Sequence, residues 1–285
     1  MASTPDVTTI TKELPAVPLT LEGYSVLHQM FRFRWADWRK LELPRQSHIA
    51  REFAASFAAL EQEGKFAAYS MLGHKGDLML VHFGDSFDDL NQAELTIDRT
   101  TLRDYLEPVH SYLSIIELSL YDSSVKLFRQ LTDRGVAPLS EEWNQAVQET
   151  IDRQKSAMHV RLFPRIPDTR YLCFYPMDRR RGEGKNWYLL PIEERQRQME
   201  EHGMVGRRYA GKVQQIITGS IGFDDWEWGV DLFSADPLVF KKLIYEMRFD
   251  QVSAEYALFG QFFLGVRLPV QKLGEWLSGS LPGRE

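Results

Sequence analysis

Residues 190–220 read LPIEERQRQMEEHGMVGRRYAGKVQQIITGS, and the order of structure within this stretch decides the fold. Pro191 suits the first position of a helix, and two glutamates follow in the first turn, where the positive end of the helix dipole stabilises them. Gly203, directly after His202, predicts the end of that helix. A basic turn and a strand over 213–220 come next. The stretch therefore predicts a helix, a turn and a strand.

Elements of the same kind precede this stretch in the first half of the chain. Alternating aromatic residues favour strands, apolar residues at helical spacing favour helices, and the GHKG segment at 73–76 favours a hairpin turn. The resulting order, β-α-β-β-α-β, is that of a ferredoxin-like unit. The predicted elements are a strand over 21–38, a helix over 48–63, strands over 65–72 and 77–83, a helix after Asp85 and a strand over 110–121.

The second half repeats this order around the opening stretch. Its predicted elements are a strand over 170–175, a helix over 191–202, strands over 213–220 and 226–233, a helix with Pro237 at its first position and a closing strand over 252–268. Two such units predict an α+β fold of two ferredoxin-like repeats that pack in a barrel-like core with the helices outside. The predicted divisions are a flexible tail (1–18), an N-terminal repeat (19–122), a connector (123–156) and a C-terminal repeat (157–285).

The bulk composition limits the classes of partner. With 44% hydrophobic and 26% charged residues the chain can form a sizeable core. Its net charge of −6 argues against nucleic acid, which requires a broad basic face, so basic clusters at 179–181 and 207–208 favour a small anionic ligand. Cys173 is the only cysteine, which excludes disulfides and cysteine-rich metal sites. Neither a membrane-spanning run nor a signal peptide is evident, so we predict a cytoplasmic protein without a membrane partner.

Three side chains in the second half stand out as candidates for chemistry. His202 can bind the iron of a porphyrin from a helix end, although a histidine satisfied within a capped helix is the commoner case. Tyr175 and Gln215 lie on predicted strands, where a glutamine is more often satisfied at a sheet edge than directed at a ligand. The first half has His48 at the start of its helix instead, which predicts one site per chain. Five further histidines show no metal-ligand spacing: His28, His74, His82, His110 and His159.

Several motifs of the second half occur together in one known superfamily. Through them the chain resembles the chlorite dismutase-like superfamily and, within it, the coproheme decarboxylase branch. The resemblance covers essentially the whole second half, and the first half is similar to the family's haem-free repeat. The motifs are FYPM (174–177), NWY (186–188), MEEHG (199–203), GR (206–207), YAGK (209–212), YEMRFD (245–250) and VSA (252–254).

The resemblance implies an activity, in which hydrogen peroxide drives the oxidative decarboxylation of iron coproporphyrin III (coproheme) to haem b through a tyrosyl radical. It implies His202 as the ligand of iron, Tyr175 as the redox-active tyrosine and Gln215 as the distal residue, where chlorite dismutases have an arginine. It also implies a ring-shaped, usually pentameric, assembly and a coproporphyrin ferrochelatase as a possible partner. The implied porphyrin-binding positions are Arg161, Met177, Trp187, Arg207 and Ser253.

One position departs from the family pattern. Where the family commonly has a lysine near the reacting propionate, this chain has Arg179, which keeps the charge but does not readily give up a proton. A proton that such a lysine supplies would have to come from water or from Lys185, whereas Arg179 suffices if the residue only anchors a carboxylate. The alternatives to a decarboxylase are a haem peroxidase or chlorite-degrading enzyme on the same scaffold, and a non-catalytic haem carrier or sensor.

Overall fold

A computed structural model describes residues 14–283 as a mixed α+β fold, which confirms the predicted class. The strands are β1 (Thr20–Phe33), β2 (Phe66–Leu72), β3 (Leu78–Gly84), β4 (Leu106–Ser119), β5 (Tyr171–Arg179), β6 (Gln214–Gly219), β7 (Trp228–Ser234), β8 (Ala257–Phe259) and β9 (Phe263–Arg267). The α-helices are α1 (Trp35–Trp38), α2 (Leu43–Glu63), α3 (Phe87–Arg99), α4 (Tyr121–Asp133), α5 (Glu141–Ala157), α6 (His159–Leu162), α7 (Ile192–Arg207), α8 (Leu238–Met247), α9 (Gln251–Tyr256) and α10 (Leu273–Leu277).

Eight of these strands close into an antiparallel barrel. The order is β7-β6-β4-β1-β3-β2-β9-β5, and β5 also pairs with β7, while the short β8 extends from β5. Within the first half the spatial order is β4-β1-β3-β2, and within the second it is the corresponding β9-β5-β7-β6. The halves join through the β4–β6 and β2–β9 pairs, so the barrel has no unpaired edge among its eight strands.

The interior of the barrel is filled by alternate residues from all eight strands. Its members include Val26, Met30, Tyr69, Val81, Tyr112, Phe174, Ile216, Phe233 and Phe263. A fully buried pair crosses this core, because His28 Nε2 on β1 lies 2.9 Å from Asp231 Oδ1 on β7. Outside the barrel, α2 covers the first half, and α7 and α8 cover the second. The outward-facing residues of β5, β6 and β7 consequently face helix α7.

The structure corrects several predicted boundaries in the first half. The strand predicted over 110–121 runs from Leu106 to Ser119. The strand predicted over 21–38 ends at Phe33, and a helical turn follows whose Trp38 packs into the core beside Phe33. The helix predicted from His48 begins at Leu43, because Pro44 suits a first helical turn. His48 therefore lies inside α2 rather than at its start. The predicted end of this helix at Gly64 is confirmed, with φ of 74°.

Several boundaries differ in the second half as well. The strand predicted over 170–175 continues to Arg179 and so carries Met177 and Arg179. Helix α7 does not end at Gly203 but continues to Arg207, because Val205 packs into the buried cluster under α8 and offsets the low helix propensity of glycine. The closing strand predicted over 252–268 is in fact α9, β8 and β9. Asp250 caps α9 by accepting a hydrogen bond from the backbone amide of Ser253, which turns this segment into a helix.

The remaining predicted segments are the tail and the connector. Residues 1–13 of the predicted tail lie outside the described residues, and further along the carbonyl oxygen of Ala16 accepts a hydrogen bond from Arg195 of α7. The predicted connector holds most of α4 and α5, and α4 packs against α7. Within residues 14–283, each helix is too short or too polar to cross a bilayer.

Candidate functional site

A large cavity lies between the outer face of the sheet in the second half and helix α7. Its volume is about 1030 Å³, at the upper end of the roughly 300–1,000 Å³ that small-molecule sites occupy. Residues from α4, α5 and α6 form its rim. The nine site residues predicted from the sequence all line it: Arg161, Tyr175, Met177, Arg179, Trp187, His202, Arg207, Gln215 and Ser253.

His202 faces the cavity from α7, where the helix surface around it is unusually flat. Gly203 and Gly206 also line the cavity. An added Cβ at Gly206 would meet only Met247, at 3.4 Å, and one at Gly203 would meet only Arg207, at 3.7 Å. The absence of these two side chains leaves room for a flat ligand to lie against the helix beside the imidazole.

Asp250 holds the imidazole of His202 from behind. Its Oδ2 lies 3.0 Å from His202 Nδ1, and Ser253 donates to the same carboxylate from its backbone amide and from its hydroxyl. Burial on its own raises the pKa of the Asp250 carboxyl, but its hydrogen bonds with His202 and Ser253 outweigh burial and lower that pKa. With Nδ1–H donating to an ionised carboxylate, Nε2 is the nitrogen left to bind a metal.

Tyr175 lies on the sheet side of the cavity, on the outward face of β5 together with Cys173. Its ring is 4% exposed and stacks on Phe262 with a centroid separation of 4.6 Å. Burial raises the pKa of the Tyr175 phenol, so the hydroxyl keeps its hydrogen throughout the neutral range. A phenol of this kind can supply a hydrogen atom but not a ready proton.

Arg179 is the last residue of β5 and is a buried positive charge in the cavity. It is 8% exposed, and among residues 14–283 its Nη1 has no hydrogen-bond partner while its Nη2 donates to the sulfur of Met199. The guanidinium lies 5.1 Å from the ring centroid of Trp187, and burial lowers its pKa. No described carboxylate forms an ion pair with Arg179, and the charges of Asp250 and Glu227 offset its desolvation only in part, so the buried cation is costly. The position therefore fits a ligand that brings a carboxylate of its own.

Two further arginines and a glutamine lie at more open positions of the same cavity. Arg161 on α6 and Arg207 on α7 are exposed, and neither forms an ion pair with another described residue. Gln215 projects from β6 on the same face as Ile217, with its amide open to the cavity. Cations at several points around one cavity suit a ligand with several carboxylates, which arginine binds through two parallel hydrogen bonds.

The structure separates other candidates from this site. Lys185, considered as a proton source, is bound to Glu255 at 2.7 Å and does not line the cavity. The five further histidines do not line it either, and the described residues contain no cluster of three or more metal-ligating side chains. Sequence reasoning gave no role to Asp250 or to Glu117, which lines the cavity from β4. The local signals for Asp250 are the N-cap pattern at 250–253 and the motif YEMRFD (245–250), which ends at this residue.

Comparisons with known proteins agree with this architecture. The family model for chlorite dismutase matches residues 46–268. A haem-binding protein from Thermus thermophilus is 37% identical, with a TM-score of 0.79 over 94% of this chain and 100% of that one. The chlorite dismutase of Candidatus Nitrospira defluvii in complex with imidazole is 18% identical, with a TM-score of 0.66 over 90% of this chain and 96% of that one, which indicates a shared fold alone. The chain belongs to the chlorite dismutase family.

Proposed function

We propose that this chain is a coproheme decarboxylase, which uses hydrogen peroxide to convert iron coproporphyrin III to haem b through a radical on Tyr175. The proposal is supported by the motif resemblance, by the family membership and by the haem-binding neighbour. The observation that carries it is Arg179. A buried guanidinium at the end of the strand that bears Tyr175, without a carboxylate partner among the described residues, suits a substrate carboxylate held beside that tyrosine.

The residues fit a porphyrin that is bound through its iron and its carboxylates. His202 Nε2 would bind the iron, because Nδ1 is occupied by Asp250. Arg161, Arg179 and Arg207 would hold propionates, and the remaining lining positions Met177, Trp187 and Ser253 would contact the porphyrin. A neutral imidazole fixed by a carboxylate is the form that binds metals, and its partner sets its orientation.

Bound iron porphyrin supplies the redox chemistry with hydrogen peroxide. The chain supplies position and charge. Tyr175, once it has lost the hydrogen of its hydroxyl and become a radical, would take a hydrogen atom from the β-carbon of a propionate, and the substrate would then lose an electron and carbon dioxide to leave a vinyl group. Gln215 lines the same cavity and would donate a hydrogen bond from its amide to peroxide. Repetition at a second propionate gives haem b.

One experiment separates this function from its alternatives. The apoprotein is incubated with iron coproporphyrin III, hydrogen peroxide is titrated in, and the porphyrin is measured by mass spectrometry. We expect the loss of two carboxyl groups from the bound porphyrin. An unchanged porphyrin together with peroxidase turnover or chlorite consumption would indicate the enzymatic alternative. Tight binding of haem b without any turnover would indicate a carrier or sensor.

The Asp250–His202 pair gives a second test, by substitution of Asp250 with asparagine. The amide can still accept a hydrogen bond from Nδ1 but carries no charge, so the imidazole becomes a weaker ligand. We expect the affinity for iron porphyrin to fall about 10-fold. Loss of the hydrogen-bond partner of a metal-binding histidine lowers metal affinity by about 10- to 100-fold, and the asparagine keeps part of this interaction. Absorbance titration measures it. Asp236→Asn, at another capping aspartate remote from the cavity, should leave affinity unchanged. Equal effects in both variants would contradict the assignment.

The same resemblance supports proposals about organisation. The matching strand orders of the two halves support two ferredoxin-like repeats, 19–122 and 157–285, separated by the connector 123–156. We further propose a homopentamer in the cytoplasm that receives coproheme from a coproporphyrin ferrochelatase. Sedimentation of the purified chain tests the subunit number directly.

A further inference from the structure

The cavity lining includes three carboxyl groups that the proposed function does not use, and Glu117 is the one that is not exposed, since Asp122 and Glu200 lie at exposed positions. Glu117 lies near the end of β4, which belongs to the first half, and lines the cavity together with Ile217 and Trp228. In the antiparallel pair of β4 with β6, Ile115 lies opposite Gly219 and Ile116 opposite Thr218. The same register places Glu117 opposite Ile217. Glu117 therefore lies on the same face of the sheet as Gln215, on the neighbouring strand.

Gly219 on β6 leaves the space that the carboxyl group of Glu117 occupies. A Cβ at Gly219 would overlap Oε2 of Glu117, so only glycine permits the observed position. The indole nitrogen of Trp228 lies 3.5 Å from Oε1, and the hydroxyl of Ser119 lies 3.4 Å from the same oxygen. In the part of the chain that the structure describes, Glu117 forms no ion pair with a lysine, arginine or histidine.

The charged group that faces Glu117 is another carboxylate. Glu22 on β1 lies directly across the strand pair, and like charges at such a position are unfavourable. The remaining neighbours, on β4, β6 and β7, are Ser119, Gly219 and Trp228, which are uncharged. Burial raises the pKa of the Glu117 carboxyl most, the hydrogen bond from Trp228 lowers it and the charge of Glu22 raises it, so that the pKa lies above its usual range. Glu22 is exposed and accepts a hydrogen bond from Thr20.

The proposed reaction requires a proton at this place. Conversion of one propionate follows RCH₂CH₂CO₂⁻ + H₂O₂ + H⁺ → RCH=CH₂ + CO₂ + 2 H₂O, in which the substrate is oxidised by two electrons and peroxide is reduced. A β-C–H bond and the bond to the carboxyl carbon break, and one proton is consumed per propionate. The amide of Gln215 does not transfer protons, and Arg179 stays charged. Lys185 lies outside the cavity.

We propose that Glu117 is the proton donor of the cavity, delivering its carboxyl proton to the peroxide oxygen that leaves as water and regaining a proton from solvent. This inference rests on the proposed function. A carboxyl group with a raised pKa suits the role, because general acids work best when their pKa lies near the operating pH. Glu117 supplies this proton from the opposite half of the fold.

The first readout needs no activity. Infrared titration of the apoprotein should show the carbonyl band of a protonated carboxyl group that persists to higher pH than the bands of exposed glutamates and that disappears in Glu117→Gln. In Glu22→Gln the same band should titrate at lower pH, because the facing charge has been removed. The absence of a Glu117-dependent band of this kind would overturn the proposal.

The second readout is the reaction of the coproheme-loaded chain with hydrogen peroxide. Glu117→Gln should bind coproheme as the parent chain does and react with peroxide about 100-fold more slowly, with the acid-dependent part of its pH profile lost. Gly219→Ala, which displaces the carboxyl group, should slow the reaction in the same direction. Glu107→Gln, an exposed glutamate of the same strand, is the control and should react normally.

The outcomes distinguish a failure of the role of Glu117 from a failure of the proposed function. If the parent chain decarboxylates coproheme and Glu117→Gln does so at an equal rate, Glu117 is not the donor while the proposed function stands. If the parent chain removes no carboxyl group, the proposed function is wrong and the role of Glu117 falls with it, whatever the infrared spectrum shows.

Discussion

Tyr175→Phe should bind iron coproporphyrin III as tightly as the parent chain and produce no haem b from it. The substitution removes one hydroxyl group and keeps the ring, so the stacking on Phe262 and the fold are preserved. The hydroxyl is the group that takes part in hydrogen-atom transfer. We expect the decarboxylation rate to fall by at least about 1,000-fold, as when a directly reacting group is lost.

Binding and turnover must be measured separately for this variant. Absorbance titration gives the affinity for iron coproporphyrin III, and mass spectrometry of the porphyrin after peroxide addition gives the extent of decarboxylation. Tyr245→Phe is the matched control, because Tyr245 is 66% exposed on α8 and does not line the cavity. Haem b formation at a near-normal rate in Tyr175→Phe would remove the tyrosine from the mechanism.

The parts of the site that follow from the sequence are those that adjacent residues determine. The FYPM motif carries Tyr175 and Met177, and the resemblance implies that both serve one ligand. The strand predicted over 170–175 is too short, because β5 continues to Arg179 and so places Tyr175, Met177 and Arg179 on one face with period two. His202 lies on the helix that the sequence predicts for it. The predicted end of that helix is wrong, because a glycine is a local signal whereas the packing of Val205 under α8 depends on residues much later in the chain.

Contacts between distant residues could not be predicted in this way. Asp250 and His202 are separated by 48 positions and meet only because α9 replaces part of a predicted strand. Glu117 reaches the cavity of the second half because β4 pairs with β6, and this pairing exists only when the barrel closes. Each half alone predicts its own strands, but neither predicts which strand of the other half it will contact.

Arg179→Met should change stability and binding in opposite directions. Burial lowers the pKa of the guanidinium. A cation whose pKa is lower in the folded than in the unfolded chain destabilises the fold at every pH at which it is charged, which for arginine includes the whole neutral range. Replacement by an apolar side chain of similar length should therefore stabilise the apoprotein, by about 1–2 kcal/mol, which raises the Tm by a few degrees.

The same substitution should weaken the binding of iron coproporphyrin III, because a substrate carboxylate would lose its buried partner. Truncation of one member of a buried charge pair costs about 2–4 kcal/mol, which corresponds to about a 30- to 1,000-fold rise in Kd.

Arg181→Met is the control, since Arg181 is exposed, lies outside the cavity and is paired with Glu227. A more stable apoprotein with unchanged affinity would show that Arg179 does not bind the substrate. A less stable apoprotein would show that Arg179 stabilises the fold. Its burial would then not be a cost that is recovered only when a ligand binds. Thermal unfolding and absorbance titration on the same preparations decide between these results, because only a cation kept for a ligand makes the empty protein less stable and the loaded protein more so.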